Sequence, residues 1–271
     1  MGVLQVLQMS RLAVLMACHN RVETTLSCLA RLMPQIGDES RVFLIDDGSN
    51  DGTGTRVRSK FPSVQVVDGN GTLYWAKGMR RSWEAAVGER SDWDAYLWLN
   101  DDTMLNGDAI ATMLSANDGK SLVVGELHDA EGKAVYGLNV NGWVNGNCVL
   151  VPRAIYERTG MICGEYSHAW ADRDYAFRVK RAGFAIVGAG VVGTTQWHPL
   201  RPSLAGKSFV ERWRLLFDPK GWNIHDLWLL RRRNRGFFAA IVSCLHLATH
   251  VILFNHERHK IHERFSSLSC G

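Results

Sequence analysis

The sequence predicts an α/β protein in which helices flank a mainly parallel sheet and a helical appendage follows at the C-terminal end. Two observations predict this fold class. Apolar runs alternate with amphipathic segments through the first hundred residues, and polar clusters follow several of the apolar runs. The composition is that of a globular protein, with 46% hydrophobic and 21% charged residues. A length of 271 residues fits one large domain or one domain with an appendage.

The first predicted strand is Leu12–Cys18, a continuous apolar run of the kind found in strands buried on both faces. A helix follows, because Asn20 and Glu23 have the spacing of a helix start. Its apolar face holds Val22, Leu26, Leu29 and Met33. The chain therefore opens with a strand and a helix that pack together.

The next segments continue the alternation of strands and helices. The predicted strands are 42–45, 64–67 and Ala95–Leu99, and the predicted helices are Thr53–Lys60 and a segment around Trp83. The second half is less regular. It contains predicted strands at 122–127 and 148–151, a helix at 172–181 that ends before Gly183, and a further apolar run at 184–192.

The C-terminal part differs in charge from the rest of the chain. From Arg201 onward there are twelve Lys and Arg against five Asp and Glu, so the net charge of +4 leaves the preceding residues mildly acidic. A basic cluster at 231–235 precedes an apolar segment at 236–254, whose length is near the ~20 residues that span a bilayer. His246 and His250 share one face of this segment and would be costly at bilayer depth. The pattern favours attachment to a membrane surface, and a terminal helix packed on the domain is the alternative.

The cysteines and the first residues of the chain indicate in which cellular compartment the protein is expected. The six cysteines form no C-x-x-C pair, so neither a zinc finger nor a disulfide framework is predicted, and a reducing compartment is expected. The first eight residues lack the basic and apolar regions of a signal peptide. We therefore expect a cytoplasmic protein, peripheral on the inner face of the membrane, with no nucleic-acid partner.

Three polar clusters follow predicted strands, at 19–20, 46–47 and 101–102. Ligands of open parallel sheets bind outside the carboxyl ends of the strands, so these clusters should meet at one edge. Adjacent carboxylates such as Asp101 and Asp102 repel each other and are tolerated where a cation binds. Oxygen ligands of this kind suit Mg²⁺ or Mn²⁺, whereas the alternative is a polar turn.

A series of motifs resembles, in content and order, the family 2 nucleotide-sugar glycosyltransferases. They are the segments 17–21 (ACHNR), 46–53 (DDGSNDGT), 70–78 (NGTLYWAKG), 100–102 (NDD), 146–153 (GNCVLVPR) and 171–183 (ADRDYAFRVKRAG), then His198 and 233–235 (RNR). The resemblance covers about residues 12–234 and implies the GT-A fold, a Rossmann-like mainly parallel sheet, within a rhamnosyltransferase-like bacterial group. Two positions depart from the family pattern, because Asn100 stands for Asp and Ala171 for Glu.

The resemblance implies a metal-dependent, inverting transfer of a sugar in the synthesis of a bacterial surface polysaccharide. It also implies a hexosyltransferase-type enzyme with a UDP- or dTDP-sugar donor and a glycan or lipid-linked acceptor. We expect a glycosyltransferase domain at 9–220, with a nucleotide-sugar half at 9–103 and an acceptor half at 104–220, before a basic and apolar tail at 221–271. A catalytically inactive sugar-binding module and a nucleotidyltransferase remain as alternatives.

The resemblance also assigns candidate residues. The donor would be held by Asn20, Asp46, Asp47, Lys77, Asn100 and Asp101, and Mg²⁺ or Mn²⁺ by Asp102 and His198. Weaker candidates for the acceptor are Trp143, Asn147 and Trp170, since aromatic faces stack on sugar rings although most tryptophans are core residues.

The base that takes the acceptor proton must come from the second half. Asp174 has Arg178 four residues on and is expected to form a surface ion pair with it. Asp172 lacks such a partner and stands at the helix N-terminus, where a free carboxylate is favoured. Asp172 is therefore the predicted base, with Glu165 the next candidate.

Overall fold

In a computed structural model of the chain, residues 11–138, 144–196 and 201–253 are described. The strands are β1 (Leu12–Cys18), β2 (Arg41–Asp46), β3 (Val64–Asp68), β4 (Ala95–Leu99), β5 (Thr103–Leu105), β6 (Ser121–His128), β7 (Ala134–Tyr136), β8 (Cys148–Pro152) and β9 (Ala185–Thr195). The helices are α1 (Val22–Leu32), α2 (Thr53–Lys60), α3 (Tyr74–Glu89), α4 (Ala109–Ser115), α5 (Arg153–Thr159), α6 (Ala171–Arg181), α7 (Phe209–Leu215), α8 (Ile224–Arg235) and α9 (Phe237–Ile252).

The strands form one mixed sheet with the order β3-β2-β1-β4-β8-β6-β9-β5, and β7 pairs with β6. Strands β1 to β4 are mutually parallel, which places their carboxyl ends at one edge. Strand β8 runs antiparallel to β4, and Cys148 at its start lies opposite Leu99 at the end of β4. The chain that enters β8 therefore reaches the same edge. The predicted α/β fold class, with a mostly parallel sheet flanked by helices and C-terminal helices after it, is confirmed.

The alternation of side chains along β4 gives the sheet two different faces. Leu97 and Leu99 belong to an aliphatic core that also contains residues of α1 and α4. Tyr96 and Trp98 point to the opposite face and pack against Trp83 of α3, with ring centroids 5.0 and 5.9 Å apart. Aromatic residues of α5 and α6 complete this second core. It holds Trp83, Tyr96, Trp98, Tyr156 and Tyr175.

The chain divides into two units. The first comprises, within the described residues, 11–167 and 171–196, and it contains the whole sheet. The second comprises 168–170 and 201–253, with helices α7, α8 and α9. The predicted division into 9–220 and 221–271 stays a prediction.

The second unit has a small apolar core of its own. Its buried members are Leu204, Leu216, Leu227, Leu247 and Val251. Gly236 separates α8 from α9 with a φ of 90°, a left-handed conformation that suits glycine. Among the described residues, no helix has both the length and the apolarity needed to cross a bilayer.

Candidate active site

Polar side chains at the ends of β1, β2 and β4 contact one another. The ring nitrogen Nδ1 of His19 donates to the carbonyl oxygen of Asp47 over 2.6 Å. The guanidinium of Arg21 lies 2.8 Å from the carboxylate of Asp102. The structure therefore brings the three polar clusters together at one edge of the sheet.

Asn20 holds the end of β1 to the loop after β2. Its φ of 52° is left-handed, a conformation that Asn adopts more readily than most residues. Its amide donates to Ser49 Oγ over 2.9 Å, and its Oδ1 accepts from the Asn50 amide over 2.8 Å. The two loops are thereby joined by bonds in both directions.

Asp46 and Asp47 are both buried and both organise backbone. Asp46 accepts from the amide of Gly54 over 2.9 Å, and a side chain at Gly54 would collide with this carboxylate. Asp47 accepts from the amides of Leu73 and Tyr74 over 2.9 and 3.0 Å, which satisfies the otherwise unpaired start of α3. Oδ2 of Asp46 and Oδ1 of Asp47 each accept one hydrogen bond, from the amides of Gly54 and Gly71, and keep a lone pair that can accept from a ligand.

Lys77 lies on α3 and is exposed. Within the described part of the chain it makes no hydrogen bond or ion pair, so its ammonium is available to an anionic ligand. Its role toward a donor stays a prediction.

The acidic pair after β4 contains one buried and one accessible carboxylate. Asp101 is buried, and removal from water raises its pKa to about 7, although Arg21 opposes this shift. Asp102 keeps 17% of its side chain exposed. One nitrogen of Arg21 serves both groups, over 3.2 Å to Asp101 and 2.8 Å to Asp102. The pair thus already has a cation beside it.

Asn100 joins the end of β4 to two other elements. The Trp75 indole N–H donates to Oδ1 of Asn100 over 2.7 Å. Since an indole nitrogen can only donate, Nδ2 of Asn100 must face the other way, where it donates to Oδ1 of Asn147. The Asn100 amide nitrogen also donates to the Asn147 carbonyl over 2.9 Å. An aspartate could accept from Trp75 but could not donate to Asn147 while ionised.

Asp172 stands in the first turn of α6 and is half-buried. Its two oxygens accept from the amides of Gly146 and Arg173, over 3.1 and 2.8 Å. Removal from water raises the pKa of Asp172, and the two amide bonds and the Arg173 charge oppose that rise. Gly146 also packs against the Trp75 ring so closely that a Cβ would lie 2.5 Å from it. Asp172 is therefore tied through Gly146 to the network around Asn100.

The environment of Asp174 corrects one expectation from the sequence. Its ion pair with Arg178 is present over 3.2 Å, but the Asp174 side chain is fully buried rather than on the surface. Arg178 also donates to the carbonyl oxygens of Thr159 and Met161 over 2.6 and 2.9 Å. The spacing of four residues predicted the pair, but it could not show which face of α6 is covered.

The three further candidates are His198, Trp143 and Trp170. His198 and Trp143 lie outside the described residues. Trp170 belongs to the second unit, where the Arg201 guanidinium lies 4.8 Å from its ring centroid and 4.7 Å from that of Trp222. One face of Trp170 is thus already covered.

Sequence reasoning gave no role to Arg21 or Trp75. The contact of Arg21 with the acidic pair could have been predicted. Arg21 comes soon after β1, and β4, which the two carboxylates follow, is the parallel neighbour of β1. Trp75 offered no comparable signal, since its indole N–H meets Asn100 only in the folded chain. Among the described residues no cluster of three or more His, Cys, Asp or Glu side chains forms a complete metal site. Asp102 is the accessible carboxylate that could contribute to one.

Comparisons with known proteins agree with this geometry. Residues 13–166, more than half of the chain, match the family model described as glycosyl transferase family 2. No curated protein matches the sequence.

Two solved structures share the fold. One is a mannosyltransferase from Pyrobaculum calidifontis in complex with GDP-Man and Mn²⁺, with 13% identity, a TM-score of 0.55 and coverage of 96% of this chain and 81% of that one. The other is glucosyl-3-phosphoglycerate synthase from Mycobacterium tuberculosis with Mn²⁺, UDP-glucose and phosphoglyceric acid. It has 16% identity, a TM-score of 0.52 and coverage of 74% and 78%.

Proposed function

The chain belongs to glycosyl transferase family 2, and from that premise we propose that it transfers a sugar from a nucleotide diphosphate to an acceptor hydroxyl. The observation that carries this proposal is the meeting of four carboxylates at one edge of the parallel sheet. Asp46 ends β2 and Asp47 follows it, and Asp101 and Asp102 follow β4. Solved structures of the same fold hold a nucleotide sugar and Mn²⁺, which supports the assignment.

The donor, a UDP- or dTDP-sugar, would bind across the loops after β1 and β2. Asp46 and Asp47 have lone pairs left for the base and ribose, and Asn20 lies beside them. Lys77 is exposed on α3, where its charge suits the diphosphate. Asn100 would also contact the donor, and its side-chain amide is held in one orientation by hydrogen bonds to Trp75 and Asn147.

The residues present fit a divalent cation. Mg²⁺ usually takes only one or two protein carboxylates and completes its shell with water and phosphate oxygens, and Mn²⁺ accepts the same donors. Asp102 offers an accessible carboxylate for this purpose, and the buried Asp101 lies next to it in the chain. His198 is the second ligand predicted from the sequence. When bound, Mg²⁺ or Mn²⁺ would neutralise charge on the departing diphosphate.

Asp172 would act as the general base. Its Oδ atoms are held by two backbone amides, so the carboxylate is oriented before the acceptor arrives. The raised pKa makes it a stronger proton acceptor than an ordinary aspartate. The acceptor hydroxyl transfers its proton to Asp172 as its oxygen bonds to the anomeric carbon and the bond to the diphosphate breaks. A single displacement of this kind inverts the configuration.

The acceptor and the pathway follow from the sequence resemblance. We propose a hexosyltransferase-type, rhamnosyltransferase-like enzyme that acts on a glycan or lipid-linked acceptor in bacterial surface polysaccharide synthesis. Asn147, which bonds Asn100 at the strand end, is the best placed of the acceptor candidates. Trp143 and Trp170 remain weaker candidates.

A membrane surface is the proposed location, on the cytoplasmic face. Helix α7 exposes Phe209 and Trp213, and Phe217 lies just beyond its end. These three residues are spaced four apart and have 59%, 47% and 58% of their area accessible. Helix α9 exposes a second apolar row that includes Phe238 at 82%. The end of α8 adds exposed arginines. Aromatic residues beside arginines suit an anionic lipid surface.

The direct test is release of nucleoside diphosphate. Purified protein would be incubated with UDP-, dTDP- and GDP-sugars, with Mn²⁺, Mg²⁺ or excess chelator. We expect release with one nucleotide class, dependent on the metal and absent in Asp102→Ala. Full turnover in chelator would contradict the metal assignment. Binding of a nucleotide sugar without turnover under any condition would identify a sugar-binding module instead.

A further inference from the structure

Arg21 already supplies the positive charge that the acidic pair after β4 requires. Its Nη1 atom lies 3.2 Å from Asp101 Oδ1 and 2.8 Å from Asp102 Oδ2, so one nitrogen bridges both carboxylates. Asp101 is buried, and Asp102 lies directly beside it. The guanidinium therefore offsets the repulsion between the two adjacent carboxylates.

A divalent cation and Arg21 would compete for the same carboxylate oxygen. A metal ion that took Oδ2 of Asp102 would lie about 2.1 Å from the same oxygen that the Arg21 guanidinium contacts over 2.8 Å. Two cations at that separation repel strongly. The Arg21 side chain is 43% exposed, so its end can swing toward solvent when another cation arrives.

The backbone of Arg21 is tied to the loop after β2. The Arg21 amide donates to Thr53 Oγ1 over 3.3 Å, and the next amide, of Val22, donates to Asp51 Oδ2 over 3.1 Å. The preceding residue, Asn20, bonds Ser49 and Asn50. Hydrogen bonds therefore tie the end of β1 to the loop that would hold the nucleotide.

We propose that Arg21 is an internal competitor for the metal, which makes tight metal binding depend on the nucleotide. In the nucleotide-free protein Arg21 occupies the Asp101–Asp102 pair and keeps metal affinity low. A nucleoside diphosphate offers the displaced guanidinium a new anionic partner, so the metal and the nucleotide bind cooperatively. Arg21 is thus a positioning residue. This inference rests on the proposed function and assigns an order of binding to its site.

The test measures Mn²⁺ binding by the loss of the free-ion electron paramagnetic resonance signal, first with Mn²⁺ alone and then with UDP, dTDP or GDP added. Couplings between sites typically change affinity 5- to 150-fold, so we expect Arg21→Met to bind Mn²⁺ alone about tenfold more tightly than the unmodified chain. The enhancement by nucleotide should shrink by a similar factor. Arg21→Lys keeps the charge and should keep the weak binding of Mn²⁺ alone.

Arg56→Met is the matched control. Arg56 forms an exposed ion pair with Glu23 near the same loop but does not touch the acidic pair. Its removal should leave both affinities unchanged. Melting curves provide a second readout, because Mn²⁺ alone should raise the Tm of Arg21→Met more than that of the unmodified chain.

Each outcome has a distinct meaning. If the unmodified chain binds Mn²⁺ with nucleotide but Arg21→Met binds Mn²⁺ alone no better, Arg21 does not compete and the inference is wrong. The same holds if Arg21→Lys behaves like Arg21→Met, because charge would then be irrelevant. If no variant binds Mn²⁺ under any condition, the metal in the proposed function fails as well.

Discussion

Asp172 and Asp174 lie two residues apart in α6, and their surroundings suit different tasks. Asp172 accepts only backbone amide bonds among those described above, whereas Asp174 is fully buried beside Arg178. We expect Asp172→Asn to lower turnover by about 10²–10⁴-fold, the usual contribution of a general base, with donor affinity little changed. Steady-state rates and a nucleotide-sugar titration would measure both quantities.

Two other results would reassign the base. If Asp174→Asn were inactive and Asp172→Asn nearly normal, the roles would be reversed. If both variants kept full activity, the base would lie elsewhere, and the exposed Glu165 would be tested next.

The raised pKa of Asp172 sets an expectation for the pH profile. The base works only when ionised, so kcat/KM should fall as the pH drops through the pKa of this carboxyl. Because burial moves that pKa upward, the acid limb should lie above the ~3.9 of an ordinary aspartate. A rate profile from pH 4 to 8 would show the limb, and Asp172→Asn should remove it. A limb that persists in this variant would belong to another group.

Because Asp174 is buried, its replacement should lower the free energy of unfolding by more than the loss of a surface ion pair would. A surface pair four residues apart is worth only a few tenths of a kcal/mol, but a buried hydrogen-bonded group that loses a partner costs about 1–3 kcal/mol. We therefore expect Asp174→Asn to destabilise the protein by about 1–3 kcal/mol, as measured by urea unfolding. The matched control is Glu84→Gln, which removes the exposed pair with Arg80 and should change stability by about 0.5 kcal/mol or less. Equal effects would show that burial is unimportant here.

At the scale of elements, the contact between α3 and the loop before β8 is possible because Gly146 has no side chain. A Cβ on Gly146 would lie 2.5 Å from the Trp75 ring, so Gly146→Ala should displace Trp75 and disturb its bond to Asn100. We expect lower turnover and a loss of stability of about 1–3 kcal/mol from overpacking. Gly88→Ala is the control, because its position in α3 is open and alanine favours helix by about 1 kcal/mol. A harmless Gly146→Ala would show that the contact is not tight.

The elements that the sequence predicts well are those with strong local patterns. The apolar runs that became β1 and β4 were located to the residue, because burial on both faces demands continuous apolar side chains. Short β5 and β7 carry too few residues for a pattern, and the direction of β8 depends on its partners rather than on its own composition. The apolar segment predicted to begin at residue 236 corresponds to α9, whereas the helix before it, α8, was not predicted.

The candidate site was predicted in part for a related reason. The ends of parallel strands meet by topology alone, so the cluster of Asn20, Asp46, Asp47, Asp101 and Asp102 follows from element order. The bonds of Asn100 to Trp75 and Asn147 join residues far apart in the chain, and no local spacing encodes them.

At the scale of the whole molecule, the exposed residues of the second unit predict binding to anionic vesicles. We expect the protein to sediment with vesicles that contain phosphatidylglycerol and not with phosphatidylcholine alone. Each arginine near such a surface contributes about 1 kcal/mol, so replacing both Arg232 and Arg235 with Gln should weaken binding about thirtyfold. The control replaces Arg56 and Arg58 in the first unit, which are also exposed. Equal weakening in both double variants would indicate unspecific charge attraction.

The reversed direction of β8 has a consequence for how this enzyme can diversify. Strands β1, β2 and β4 bring residues to the site as the chain leaves them, whereas β8 brings Asn147 as the chain enters it. The segment 137–145, between β7 and Gly146, can therefore be exchanged or lengthened while Gly146, Asn147 and the pairing of β4 with β8 are kept. Grafting this segment between relatives would be a way to engineer acceptor choice while the donor side is inherited unchanged.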